Sequence, residues 1–317
     1  MKTLICTFVS VMSLVAAVAV ASPAPHPYQV GLSTNDNGKV LARVIVPGKP
    51  PAYTMPVAYA PAMNVVDNVI FANSISTVPA FDWTYGCSAT SASMMFGHYD
   101  QTDYPNMYTG PTNGGVCPSD NSVWGQTTYP NVTCGECPFC ASHDGIDGRT
   151  TRGHVGDYWI DYNNPGPDPY IVNSWTQHSP RDCVADFMGT NMSDYDNNDG
   201  STSFTFWTDG SPMYDYTGGE PDHRDGCHGM RLYVESLGYT VDENFTQLIP
   251  NTTYGNTQGF TFDDFKAEID AGRPVMIQVE GHSMVGVGYD DSRGDEIVYI
   301  HDTWDYQQHQ MTWGGDY

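Results

Sequence analysis

The chain has 317 residues, eight cysteines and 12 basic against 37 acidic side chains, for a formal net charge of −25. Such a surface repels phosphate backbones, which argues against nucleic acid as a partner. With 40% hydrophobic and 13% aromatic residues there is enough apolar material for a core, so disorder is excluded as the default.

The N-terminus reads MKTLICTFVSVMSLVAAVAVASPA. One lysine precedes an apolar run of roughly 18 residues, near the length of a membrane span. Ala19 and Ala21 offer an A-x-A-like cleavage site, and no basic cluster follows to stop transfer. The pattern predicts an export signal over residues 1–21, in preference to an uncleaved anchor. No later stretch is long and apolar enough to span a bilayer. The expectation is therefore a secreted, periplasmic or extracellular protein without stable membrane insertion once the signal is removed.

Residues 22–75 are rich in Pro, Ala, Val and Asn and read as a linker or pro-segment. Within them VLARVIV alternates as a strand does, and NVVDNVIFANSIS reads as a further strand or a short amphipathic piece. The main domain is expected over 76–317. Ala89, Ala92, Met95, Phe96 and Tyr99 are spaced for a helix over 88–99, with Ser88 as its N-cap and Cys87 at its mouth. Residues from about 101 to 228 are irregular and rich in Gly, Asn, Asp and Pro, too much loop for a compact domain unless it is pinned. HGMRLYVESLGY predicts a helix ending at Gly238. FTFDDFKAEIDAG predicts another, with Thr261 and Asp264 placed as a capping box and Gly272 as the stop. RPVMIQVE, HSMVGVGYDD, EIVYIHDTW and QMTWGG are short β-rich runs between turns, as in an antiparallel sheet. Helices first and sheet last give the class α+β. The chain stops at WGGDY without a closing strand, as one cut inside its last hairpin would.

Removing Cys6 with the signal leaves an odd number of cysteines. In an oxidising compartment one stays unpaired. Cys87 is the candidate for that thiol, and Cys117, Cys134, Cys137, Cys140, Cys183 and Cys227 are candidates for disulfides that pin the loop-rich middle. A thiolate is favoured by a helix N-terminus and by a neighbouring imidazolium. GRPVMIQVEGHSMVGVGYDD sets His282 between two apolar strands, and VYIHDTW sets Asp302 at the end of the next. If these strands form a hairpin, nucleophile, base and orienter can meet. His301 is the immediate rival, but strand alternation sends it to the opposite face from Asp302. His98, well into the first helix, reads as a surface or packing residue.

The segments VPAFDWTYGCSATSASMMFGHYD, GHSMVGVGYD and IHDTW resemble the papain-like cysteine peptidases related to the double-glycine leader (bacteriocin-processing) peptidases, in a secreted, stand-alone form. The matching motifs cover roughly 78–100 and 260–315. The resemblance implies a papain-like fold, with an N-terminal helix carrying Cys and a C-terminal antiparallel sheet carrying His and Asp, and a disulfide-rich insertion between them. It implies hydrolysis of peptide bonds in a peptide or protein substrate, through an acyl-enzyme on Cys87. His282 is then general base and acid, Asp302 the orienter, and no cofactor is required. The family commonly carries a glutamine shortly before the cysteine as oxyanion donor; here residues 81–85 hold none. The Cys87 N–H supplies one donor, and Trp83 and Tyr85 are candidates for the other. The alternatives are a catalytically inactive papain fold kept for binding or adhesion, and a transglutaminase-like acyl transferase on the same triad.

Two further motifs invite metal. CGECPFC (134–140) holds two C-x-x-C steps; disulfides are preferred there to a zinc knuckle using His143 or His154. In NMSDYDNNDGSTSF, Asp194, Asp196 and Asn198 alternate as calcium ligands do. The glycine stands at the seventh position and no glutamate closes the loop, so a solvated turn is preferred to calcium.

Overall fold

The computed structural model describes residues 3–12, 28–48, 73–84, 86–108, 110, 112–129, 132–141, 183–190, 195–197, 200–292, 294–315 and 317, with the backbone alone for 3–12, 127–129 and 132–134. An eight-stranded sheet forms the centre. It is built from β1 (Thr3–Met12), β4 (Asn73–Ser74), β8 (Met213–Tyr214), β9 (Thr240–Leu248), β10 (Val275–Val279), β11 (His282–Asp290), β12 (Ile297–His301) and β13 (His309–Thr312). The order is β13-β12-β11-β10-β1-β9-β8, with β4 against β11. The run β10–β13 is an antiparallel meander, as the four short apolar runs predict. β1 enters parallel between β9 and β10. Residues Thr3–Met12 of the segment expected to be an export signal are thus a sheet strand here, because an apolar run suits a strand as well as a signal.

A second sheet orders β2 (Gln29–Thr34), β3 (Val40–Val46) and β7 (Thr202–Trp207). The alternation of VLARVIV becomes an alternation of burial in β3, with Ala42, Val44 and Val46 inward. β5 (Gln126–Tyr129) and β6 (Val132–Gly135) form a hairpin by themselves.

Four α-helices stand among the described residues: α1 (Cys87–Gln101), α2 (Val184–Met188), α3 (Gly226–Ser236) and α4 (Phe262–Asp270). Residues 87–100 of α1 are all buried, so this helix runs through the core rather than along its surface. Its many small polar residues tolerate that position because their hydroxyls bond back into the helix: Thr90 Oγ1 to the Gly86 carbonyl at 2.8 Å and Ser93 Oγ to the Ala89 carbonyl at 2.9 Å. The expected N-cap, Ser88, is displaced. Gly86 caps the helix with φ 140°, and its added Cβ would stand 2.8 Å from the Gly200 carbonyl oxygen. In α4 the expected capping box is present: Thr261 Oγ1 accepts the Asp264 N–H, and Asp264 accepts the Thr261 N–H. Asp225 caps α3 by accepting the N–H groups of Cys227 and His228. No helix among the described residues is long and apolar enough to cross a membrane.

The disulfide expectation is corrected. Cys87, Cys117, Cys137, Cys140, Cys183 and Cys227 are all buried thiols. The Cys117 and Cys140 sulfurs face the Pro118 and Thr84 carbonyls, at 3.6 Å and 3.3 Å. These cysteines serve as small apolar core residues, and all six belong to the cluster that also holds Phe96, Phe139 and Tyr233. The side chain of Cys134 lies outside the described residues. The irregular middle is held by packing instead: Phe139, Phe187 and Phe96 surround the Tyr233 ring at centroid distances of 5.9, 5.5 and 5.0 Å.

Candidate active site

Cys87 is the first residue of α1, and its thiol is 1% exposed. Its position favours the anion through the first N–H groups of the helix. Burial opposes this and pushes the thiol up from its ordinary value, while hydrogen bonds from the backbone and hydroxyls of Ser283 and Ser88 pull it back. The two hydroxyls lie 2.9 Å apart. They tie the first turn of the cysteine helix to the start of β11, where His282 is the first residue.

The β10–β11 connection is a tight hairpin in which Val279 pairs with His282 across Glu280 and Gly281. Gly281 takes φ 75°, the left-handed conformation such turns need. That turn fixes where the imidazole points. Its Nε2 lies 2.7 Å from the Asp302 main-chain carbonyl oxygen. A carbonyl only accepts, so Nε2 carries the proton and Nδ1 keeps its lone pair. Nδ1 is buried and makes no hydrogen bond among the described residues. The ring stacks on the Trp304 indole at 4.4 Å and 17°. Burial lowers the imidazole to about 4, the bond to Asp302 opposing it. His282 and Cys87 are therefore both held neutral in this structure, and no hydrogen bond joins them.

Asp302 is buried beside His282 and bonds to it through its backbone carbonyl rather than its carboxylate. Oδ1 accepts the Trp304 N–H at 2.9 Å, and Oδ2 accepts the Tyr317 hydroxyl at 2.7 Å. Tyr317 also stacks on Trp304, at 5.6 Å and 24°, so the indole packs against both the imidazole and the phenol. His301 bonds through Nδ1 with the Pro79 carbonyl at 3.0 Å; it is the last residue of β12, and Asp302 lies just beyond the strand. His98 is a packing residue, held between Thr77 Oγ1 at 2.7 Å and the Gly272 carbonyl at 2.9 Å.

Of the oxyanion candidates, Trp83 is buried in the main core, and Tyr85 lies outside the described residues. Asp82, the residue before Trp83, is raised to about 6 by burial and by the like charges of Asp305 and Asp302. Among the described residues, Asp302, Asp305 and His309 form the one group of His, Cys, Asp or Glu side chains that could hold a metal, with ligand atoms within 4.8 Å of one another. The calcium candidates Asp194 and Asn198 fall outside the described residues, as do His143 and His154. Asp196 lies in a turn at φ 61° and pairs with Arg43 at 3.8 Å.

Sequence reasoning missed three contributors: Ser283, Trp304 and Pro47, whose carbonyl oxygen lies 3.5 Å from the Cys87 sulfur. Ser283 and Trp304 each stand within two positions of a residue already singled out. No signal in the sequence pointed to Pro47.

A cysteine stands at the mouth of a central helix and a histidine at the start of an antiparallel strand packed against it, the placement that a papain-like fold calls for. The family model described as Peptidase_C39 like family matches residues 67–314, and the chain belongs to that family. Membership suggests cysteine peptidase activity on a peptide substrate. No curated protein and no solved structure matches the chain.

Proposed function

We propose that the protein is an exported cysteine peptidase that hydrolyses peptide bonds through an acyl-enzyme on Cys87. The Cys87 sulfur attacks the substrate carbonyl. His282 takes the thiol proton at Nδ1 and delivers it to the leaving amine, and Asp302 holds the imidazole. The Cys87 N–H supplies one oxyanion donor. The observation that carries this reading is the tautomer of His282: with Nε2–H committed to the Asp302 carbonyl, the lone pair sits on the one ring atom that has no partner among the described residues. A base needs that arrangement, whereas a histidine kept for packing usually has both nitrogens satisfied, as His98 does. Export is supported by the N-terminal apolar run with its A-x-A step. No resident cofactor is called for by this chemistry.

A second reading is an inactive papain fold kept for binding. It is favoured by Cys87 and His282 both being held neutral with no hydrogen bond between them, and by the missing glutamine before Cys87. Active-site titration separates the two. The non-reduced protein is treated with iodoacetamide or an epoxide inhibitor of papain-like peptidases between pH 5 and 8, beside a His282→Ala variant, and mapped by peptide mass. Labelling at Cys87 that slows in the variant supports the peptidase. Labelling unchanged by the variant sinks it.

A further inference from the structure

The β2–β3 hairpin covers the site from two sides. Strand β3 pairs antiparallel with β7 over its whole length, from Leu41 opposite Trp207 to Val46 opposite Thr202. Its inward side chains Ala42, Val44 and Val46 enter the core cluster that contains Cys87. The chain then runs directly into Pro47, whose carbonyl accepts the thiol hydrogen. At the start of the hairpin, Tyr28 packs on Gly281, the residue before His282; a Cβ there would stand 2.9 Å from the Tyr28 hydroxyl. The Tyr28 carbonyl accepts the Ile45 N–H at 3.0 Å, so both contacts belong to one unit. Between them Cys87 is 1% and His282 4% exposed, and no peptide could reach either.

We propose that the β2–β3 hairpin is an internal occupant of the peptide-binding edge: β3 holds the edge of β7 on which an extended substrate pairs, and Pro47 closes the thiol. Without β3, residues Thr202–Trp207 would present a row of backbone donors and acceptors, the usual template for capturing an extended peptide. The occupant also describes the substrate class. Alternate positions 42, 44 and 46 place small apolar side chains in the core. On the opposite face, Lys39 lies 3.4 Å from Asp209 and 4.4 Å from the Trp207 ring centre, and Arg43 lies 3.8 Å from Asp196. The edge therefore suits an extended segment with small apolar residues at alternate positions and, on its other face, basic residues four apart among apolar ones, as Lys39 and Arg43 stand beside Leu41 and Ile45, against a strongly acidic protein. The neutral state of Cys87 and His282, both desolvated by burial, is what a closed site should show. The consequence for catalysis rests on the peptidase reading; the occlusion does not.

The test is native iodoacetamide labelling of the full chain at pH 8, resolved by peptide mass, for wild type, Lys39→Glu and Lys39→Glu/Asp209→Lys. Labelling reports opening and needs no turnover, so loss of the peptidase reading leaves it interpretable. An exposed ion pair is worth up to about 1 kcal/mol, or about fivefold in an equilibrium. Cys87 should label about fivefold faster in Lys39→Glu and return to the wild-type rate in the charge swap, with amide exchange of Val40–Val46 moving in step. Cys117, near the other end of α1, should not change. A synthetic peptide of residues 38–48 should slow Cys87 labelling in Lys39→Glu, and a scrambled one should not. Equal Cys87 rates in all three proteins, joint acceleration of Cys87 and Cys117, or equal protection by the scrambled peptide would overturn the proposal.

Discussion

The hydroxyl oxygens of Ser88 and Ser283 lie 2.9 Å apart in the protein interior, and this contact joins the helix that carries Cys87 to the strand that carries His282. Both hydroxyls also reach the thiol. Ser283→Ala removes one buried hydrogen bond and should cost about 1–3 kcal/mol. Ser88→Ala/Ser283→Ala should cost less than the sum of the single changes, by at least about 0.5 kcal/mol. Urea unfolding of the four proteins measures this, and additivity would mean that the pair is not coupled.

The Asp302 carboxylate makes no bond to the imidazole. In a triad oriented by a carboxylate, an Asp-to-Asn change costs about 10⁴ in rate because the wrong tautomer results. Here the main-chain carbonyl sets the tautomer. In an Asp302→Asn variant the amide oxygen can still accept the Trp304 N–H, and the amide nitrogen can donate to the Tyr317 oxygen. The substitution should therefore lower kcat/KM by about tenfold at most, against a loss of more than about a thousandfold for His282→Ala. Steady-state kinetics on a cleavable peptide decide it.

His282 makes stability depend on pH. Its folded value of about 4 lies below the ordinary 6.5, so between these values the unfolded chain binds a proton that the folded chain refuses. Its contribution is intact above about pH 6.5 and is lost as pH falls towards 4, by about 3 kcal/mol in all. Asp82, raised to about 6, works in the opposite direction, but it is common to wild type and His282→Gln. The stability advantage of wild type over His282→Gln in urea should therefore shrink between pH 7 and 4.5. A difference independent of pH would contradict the burial of a neutral imidazole.

The buried thiols give a chemical count. Unfolded in denaturant without reductant, the protein should yield Cys87, Cys117, Cys137, Cys140, Cys183 and Cys227 to a thiol reagent. In the native state the same reagent should react slowly with all of them. Mass mapping that finds any of these six in a disulfide would contradict the packing described for the middle region.

Export can be read from the mature N-terminus, which should begin just after Ala21. Because Thr3–Met12 pairs with both β9 and β10, its removal uncovers two facing strand edges. The processed chain should then unfold at lower urea than the uncut one. A mature chain that starts at Met1 would remove the export proposal.

Much of the fold is written in short-range pattern. The capping box of Thr261 and Asp264, the alternation of VLARVIV and the four β-rich runs after residue 272 each became the expected element, because local spacing and turn chemistry decide such elements. The segments around Cys87, His282 and Asp302 were enough to suggest candidate site residues and, by resemblance, the family. Three things were decided only by the tertiary structure. Which atom of Asp302 faces His282 depends on where β12 ends relative to the β10–β11 turn. Whether cysteines pair depends on distances across the core, and parity in the sequence carries none of that information. The closure of Cys87 by Pro47 joins positions 40 residues apart. Strand pairing with β7 brings them together, and neither segment's own sequence records that contact.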